Sequence, residues 1–152
     1  MDSLCLKSPL GDLTVFEVEG QIVALDWGHG LDTPRKTDNP VLNRVAAALQ
    51  LYFKSGKESF RTLPLDPGGT EHQRAVWKAM QAIEAGETKT YGAIAKEINS
   101  SSQAVGMACG ANPMPILIPC HRVVAQNGLG GYSADGGVET KATLLRLEGA
   151  RL

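Results

Sequence analysis

The chain has 152 residues, 43% of them hydrophobic, enough for one full domain or two small ones sharing an interface. Fifteen basic against sixteen acidic residues leave a net charge of −1, so nucleic-acid binding cannot be argued from charge. No apolar run is long enough to span a membrane, and the opening MDSLCLKSPLGD has neither a basic start nor an apolar signal stretch. The expectation is an intracellular, cytoplasmic protein (nuclear if eukaryotic) with no membrane partner. Three separated cysteines, Cys5, Cys109 and Cys120, fit free thiols in a reducing compartment better than a disulfide framework.

Two-residue alternation through Leu4 and Leu6, then Leu13, Val15 and Val18 around Phe16, then Ile22, Ala24, Leu25 and Trp27 predicts three strands. The connections Ser8-Pro9-Leu10-Gly11-Asp12 and Glu19-Gly20-Gln21 suit antiparallel hairpins, giving a meander. From Pro40 the spacing turns helical, with Val41, Leu42, Val45, Ala48, Leu49 and Tyr52 on one face and a stop near Ser55-Gly56. The stretch FRTLPLDPGG, Phe60 to Gly69, reads as a linker and sets a boundary near Gly69. Beyond it Thr70 and Gln73 have capping-box spacing, and Val76, Ala79, Met80 and Ile83 form a buried stripe predicted to run to Gly86. Tyr91 to Ile98 and roughly Ser102 to Ala111, split by Asn99-Ser100-Ser101, predict a helix-turn-helix. The second of these helices is nearly free of side chains through Ala104, Gly106, Ala108, Gly110 and Ala111, so it suits close packing inside the protein as well as approach to DNA. PILIPCHRVV, Pro115 to Val124, reads as an apolar extended run interrupted at Pro119-Cys120-His121-Arg122, followed by a Gly-rich loop. A last helix from about Glu139 to Glu148 buries Leu144, Leu145 and Leu147 and stops at Gly149.

Cys120 beside His121 is the most chemically suggestive pair, because a thiolate is a strong soft nucleophile and an imidazole can take its proton directly or through water. On an extended backbone, however, adjacent side chains point apart, and an isolated intracellular cysteine is usually a small buried hydrophobe. The dipeptide alone therefore leaves catalysis open.

The motifs around it, in order, are HQRAVWKAM at 72–80, TYGAIA at 90–95, AVGMACGANP at 104–113, IPCHRV at 118–123, GGY at 130–132 and K-x-x-LL-x-x-EG from Lys141 to Gly149. This stretch resembles the O6-alkylguanine-DNA alkyltransferase family, strongly over about 70–150 and more weakly at the opening SPLG. The resemblance implies an α/β N-terminal domain over 1–69, a small antiparallel sheet plus a helix, followed by an all-α, helix-turn-helix (winged-helix-like) catalytic domain over 70–152. It implies that Cys120 accepts the alkyl group irreversibly, once per molecule and without a cofactor. By similarity His121 is the base acting through a water, Glu148 polarises it, Tyr91 offers a proton to the guanine ring, and Asn112 ties the helix-turn-helix to the Cys120 loop. Ser102, Gln103, Ala104, Gly106, Met107 and Arg122 fall at DNA-binding positions, and Val123, Tyr132 and Ser133 at the base pocket. The implied partner is double-stranded DNA containing O6-alkylguanine, met from the minor groove with the base flipped, by a monomer.

The chain departs from the family at Gln103, where an arginine usually enters the base stack, at His72, where phenylalanine is usual, and at Tyr132 to Gly137, about two residues longer than the common form. Cys5 with His29 invites comparison with members that bind zinc, but two ligands do not make a tetrahedral site, and no metal is expected. Without the family match, Glu148 reads as a surface carboxylate in a last helical turn. Three other functions compete: a lesion binder without transfer, which would lack the reactive cysteine; a transcription factor, which would need more base-reading side chains than Gln103; and a Cys-His hydrolase, which would turn over excess ester or peptide.

Overall fold

The computed structural model describes residues 1–28, 33–132 and 136–151. Strands β1 (Asp2–Ser8), β2 (Gly11–Val18) and β3 (Gln21–Trp27) form the antiparallel meander expected from their alternation, in the order β1-β2-β3. A register shift at Phe16/Glu17 lets Phe16 and Glu17 face Ala24 and Ile22. Helix α1 (Pro40–Ser55) begins where Asn39 caps the amides of Val41 and Leu42, and ends at Gly56 in the left-handed conformation. It buries Leu42, Val45, Leu49 and Tyr52.

The Pro- and Gly-rich segment between the halves is not a free tether. Its Leu65 bridges Ile22 in parallel, with Ile22 N–H bonded to the Pro64 carbonyl and Asp66 N–H to that of Ile22, so it extends the edge of the sheet beyond β3. Phe60 and Leu63 are buried, and one continuous apolar cluster runs from the sheet through α1 into the second half.

There, α2 (Glu71–Gln81) starts on the predicted capping box of Thr70 and Gln73. It stops well short of Gly86 because the carbonyls at its end are claimed from outside: Arg61 donates to those of Gln81 and Ala82, and Arg122 to that of Ile83. Next, β4 (Lys89–Thr90) leads into α3 (Tyr91–Ile98), Asn99 turns the chain in the left-handed conformation, and α4 (Ser102–Gly110) follows under a Ser101 cap. The Trp77 indole N–H donates to the Ala108 carbonyl at 2.8 Å, fixing α4 against α2. The expected interruption of the apolar run is a single 3₁₀ turn at Cys120–Arg122, after which β5 (Val123–Val124) pairs in parallel with β4. Among the described residues of the second half, the helices are joined by turns and by this one pair of two-residue strands. Helix α5 (Gly137–Leu147) closes the chain with Glu148 at its C-cap and Gly149 left-handed. No helix among the described residues is long and apolar enough to cross a membrane.

Candidate active site

The 3₁₀ turn changes what adjacency means at Cys120-His121-Arg122, because its tight winding places all three side chains in the interior. Cys120 is 6% exposed, at the floor of a cleft of about 440 Å³ lined by Tyr91, Gly106, Cys109, Gly110, Gly131 and Tyr132 as well. The loop that carries it is pinned by Asn112: the side-chain amide donates to the Ile118 carbonyl at 2.8 Å and its oxygen accepts from the Met114 N–H at 3.0 Å. Asn112, expected as a tie, therefore joins the end of α4 to the Cys120 turn. Burial pushes the Cys120 thiol up, while the Asn112 amide and the Lys141 ammonium hold it back. The resting group is a thiol that needs a base.

His121, fully buried, reaches away from the cleft to Glu148: its Nε2 lies 2.7 Å from Oε2. Glu148 is 7% exposed, which overturns the surface-carboxylate reading. Its Oε2 also accepts from the Tyr52 hydroxyl at 2.6 Å and from Arg122 Nη2 at 2.9 Å, and Oε1 accepts from Arg122 Nε at 2.9 Å. Burial alone would raise the carboxyl group, but the hydrogen bonds from His121 and Arg122 outweigh it and hold the carboxyl down at about 2. The imidazole is also shifted down, but here burial wins: it lowers the ring more than Glu148 raises it, so His121 is neutral. A neutral ring that faces an ionised carboxylate with Nε2 keeps its proton there, leaving Nδ1 as the acceptor. Nδ1 is buried and has no hydrogen-bond partner among the described residues, as has the Tyr132 hydroxyl. The arrangement is a thiol, an unprotonated ring nitrogen and a carboxylate that fixes the tautomer.

Arg122 is not at a DNA surface. Its guanidinium is committed inward to Glu148 and to the Ile83 carbonyl, so the expected DNA contact is corrected to a structural one. Tyr91, at the first position of α3, lines the cleft, and burial raises its hydroxyl above the ordinary phenol range. Gly130, at φ +74°, lets the chain pass over this ring: a Cβ there would lie 3.0 Å from Tyr91 Cε2. Tyr132 lines the same cleft, Val123 is fully buried in β5, and Ser133 lies outside the described residues, as does His29. Ser102, Gln103 and Met107 are exposed on α4, and Ala104 and Gly106 half-buried.

Two residues that sequence reasoning missed complete the site. Lys141 is 0% exposed, donates to the Gly131 carbonyl at 2.9 Å and stands 5.7 Å from the centre of the Tyr91 ring. It has no carboxylate partner among the described residues, and the groups it faces electrostatically are Cys120 and Cys109. Its signal was available, since Lys141, Leu144, Leu145 and Glu148 share one helical face, which makes Lys141 a charge within a buried stripe. Tyr52 offered no such signal, because a tyrosine among the leucines of α1 reads as core. Cys109 also lines the cleft, but burial pushes it up to about 12 and its thiol points to Met80 Sδ at 3.6 Å.

Residues 71–150 match the family profile described as 6-O-methylguanine DNA methyltransferase, DNA binding domain, and residues 4–67 that described as 6-O-methylguanine DNA methyltransferase, ribonuclease-like domain. The methylated-DNA–protein-cysteine methyltransferase of Haemophilus influenzae is 38% identical over 149 residues, covering 93% of this chain and 82% of that protein. Its namesake in Metallosphaera sedula is 38% identical over 143 residues, covering 94% and 90%. The solved structure of Mycobacterium tuberculosis OGT in complex with DNA matches at a TM-score of 0.83 and 34% identity, over 98% of this chain and 93% of that one.

Proposed function

The chain belongs to the 6-O-methylguanine DNA methyltransferase family, and from that premise we propose that it repairs alkylated DNA directly, by moving the alkyl group from guanine O6 onto Cys120. The observation that carries the assignment to this residue is that the cleft cysteine shares its 3₁₀ turn with His121, whose Nε2 is held by the buried Glu148 carboxylate while Nδ1 has no partner among the described residues and can accept a proton. A helix-turn-helix of winged-helix-like kind, with Ser102, Gln103, Ala104, Gly106 and Met107 toward the minor groove, presents the duplex. The alkylated guanine swings out into the cleft between Tyr91 and Tyr132, with Val123 and Ser133 contributing to the pocket.

The Cys120 proton passes through one water to His121 Nδ1, and the imidazolium that forms is stabilised by Glu148 through Nε2–H. Lys141 adds a buried positive charge facing the developing thiolate. The thiolate attacks the alkyl carbon in line, the S–C bond forms as the C–O6 bond breaks, and the guanine regains its carbonyl. Over the whole reaction the proton lost by the Cys120 thiol is balanced by the one the guanine ring takes up, and the His121 imidazolium gives its proton back through water, so thioether, imidazole, phenol and guanine all end neutral. Burial keeps Tyr91 a neutral phenol, which suits it to donate to the ring as charge develops there. The thioether has no leaving group that the site can activate, so each molecule acts once and needs no cofactor. A neutral protein can hold DNA in this way if backbone amides and helix ends meet the phosphates.

The test is intact-protein mass spectrometry after incubation with excess duplex carrying O6-methylguanine, followed by peptide mapping. One methyl group per molecule confined to Cys120, and none in Cys120→Ala, is expected. Unmodified wild-type protein that still binds the lesion would replace transfer with lesion sensing.

A further inference from the structure

Helix α4 has an inner face of Val105, Ala108 and Cys109 and an outer face that carries Ser102, Gln103, Met107 and Gly110. Its glycines are not small for an internal reason, since a Cβ built on Gly106 or Gly110 meets nothing within 4 Å. Both line the cleft above Cys120, so a nucleotide on its way to the thiol crosses this stretch of helix. Between them stands Met107, 72% exposed and the one large apolar side chain turned outward on α3 or α4. A single exposed methionine needs no explanation as such. Its position does, because it stands on the exposed face of α4 between the cleft-lining Gly106 and Gly110, one helical turn beyond Gln103.

We propose that Met107 is the wedge that enters the base stack and fills the gap left by the alkylated nucleotide, with Gln103 beside it as a polar contact to a base edge or phosphate. The inference rests on the repair reading above and names the residue that performs its flipping step. A neutral amide placed between stacked bases gives up hydrogen bonds to water without a defined replacement. A thioether gains by the same move, because its apolar surface leaves water, and its unbranched chain adapts to an irregular gap. Methionine is among the apolar wedges that minor-groove proteins insert between base steps. The near-neutral charge of the chain fits a short-range device of this kind, since long-range attraction to the duplex is weak.

The experiment compares single-turnover methyl transfer from O6-methylguanine in a duplex with reaction of the free base O6-benzylguanine, in wild type, Met107→Ala, Met107→Leu and Gln103→Ala. The duplex-to-free-base rate ratio is expected to fall about tenfold or more in Met107→Ala, to stay within about threefold in Met107→Leu, and to fall less in Gln103→Ala than in Met107→Ala. A ratio in Met107→Ala within twofold of wild type overturns the proposal, as does a larger loss in Gln103→Ala. If wild-type protein gains no methyl group from the duplex, the repair reading itself falls and the wedge with it. Met107 is exposed and alanine is a strong helix former, so the variant retains the fold.

Discussion

Replacing Tyr52 by phenylalanine isolates the hydrogen bond that joins the N-terminal sheet-and-helix unit to the catalytic carboxylate. The ring fills the same space and keeps its aromatic contacts, edge-on to Phe53 at 5.3 Å and tilted to Phe60 at 5.4 Å between centroids, so the change removes one hydroxyl and little else. That hydroxyl donates to an ionised, buried oxygen at 2.6 Å. Hydrogen bonds to charged groups contribute about 1.5–3 kcal/mol, and the lower half of that range applies because Oε2 keeps its bonds from His121 and Arg122. For a chain of this length a loss of about 2 kcal/mol lowers Tm by roughly 4–8 °C. Methyl transfer should slow by less than about threefold, since the His121 tautomer is still fixed. Differential scanning calorimetry and single-turnover transfer measure the two effects. An unchanged Tm would mean that the hydroxyl adds nothing to the Glu148 cluster, and a hundredfold loss of transfer at unchanged Tm would place Tyr52 in the chemistry itself.

Glu148→Gln strips the charge that Arg122 and His121 were arranged around; breaking such a buried pair costs about 3–5 kcal/mol, so Tm should fall by roughly 6–20 °C and transfer at least tenfold. Calorimetry and peptide mapping report both, and a variant as stable as wild type would refute the account. Lys141→Met should separate stability from activity: removing a buried, unpaired cation leaves the fold as stable or more so, while the Cys120 thiol rises further, so transfer at pH 7 slows and recovers as the pH is raised. The pH midpoint of Cys120 alkylation by iodoacetamide reads this, and an unmoved midpoint would remove Lys141 from the chemistry. Stability should also fall in acid in two stages. The buried, neutral His121 contributes stability that is complete above its unfolded pKa, about 6.5, and is lost below it. The depressed Glu148 contributes on the order of 3 kcal/mol that is present above about pH 4.5 and lost toward pH 2. Urea midpoints against pH would show both limbs in wild type, and in Glu148→Gln the lower limb should disappear.

Much of this was legible in the sequence, for reasons that differ by element. The three strands announce themselves through the alternation of Leu4 with Leu6 and Leu13 with Val15, although Cys5 and Thr14 on the opposite face are buried too, α1 through its apolar stripe, and the start of α2 through the capping box of Thr70 and Gln73. The break at Pro119 to Arg122 was legible but its 3₁₀ winding was not, because the run from Pro115 to Val123 is buried throughout and its pattern carries no period. Arg122 was misplaced at the DNA because the resemblance carried it there among the DNA-binding positions, whereas the acid that draws it inward lies 26 residues later. Tyr52 was missed for the same reason at greater range, its partner being 96 residues away. The end of α2 was overrun because Arg61 and Arg122 reach its last carbonyls from segments distant in sequence.

The left-handed Gly56 that ends α1 also sets the terms on which the two halves can be recombined. Any side chain there would overlap the Leu147 carbonyl, and one at Gly86 would crowd the carbonyl of Glu148 at 3.1 Å, so the end of α5 is seated between two positions that admit only glycine without a shift. A few residues before Gly56, Tyr52 reaches the same terminus. The fit is steric and polar at once, between surfaces far apart in the chain, and neither surface can change alone. Chimeras that exchange residues 1–69 between relatives should therefore stay stable and active only when the segment Tyr52 to Gly56 and the segment Leu147 to Gly149 come from the same parent, whatever their overall identity.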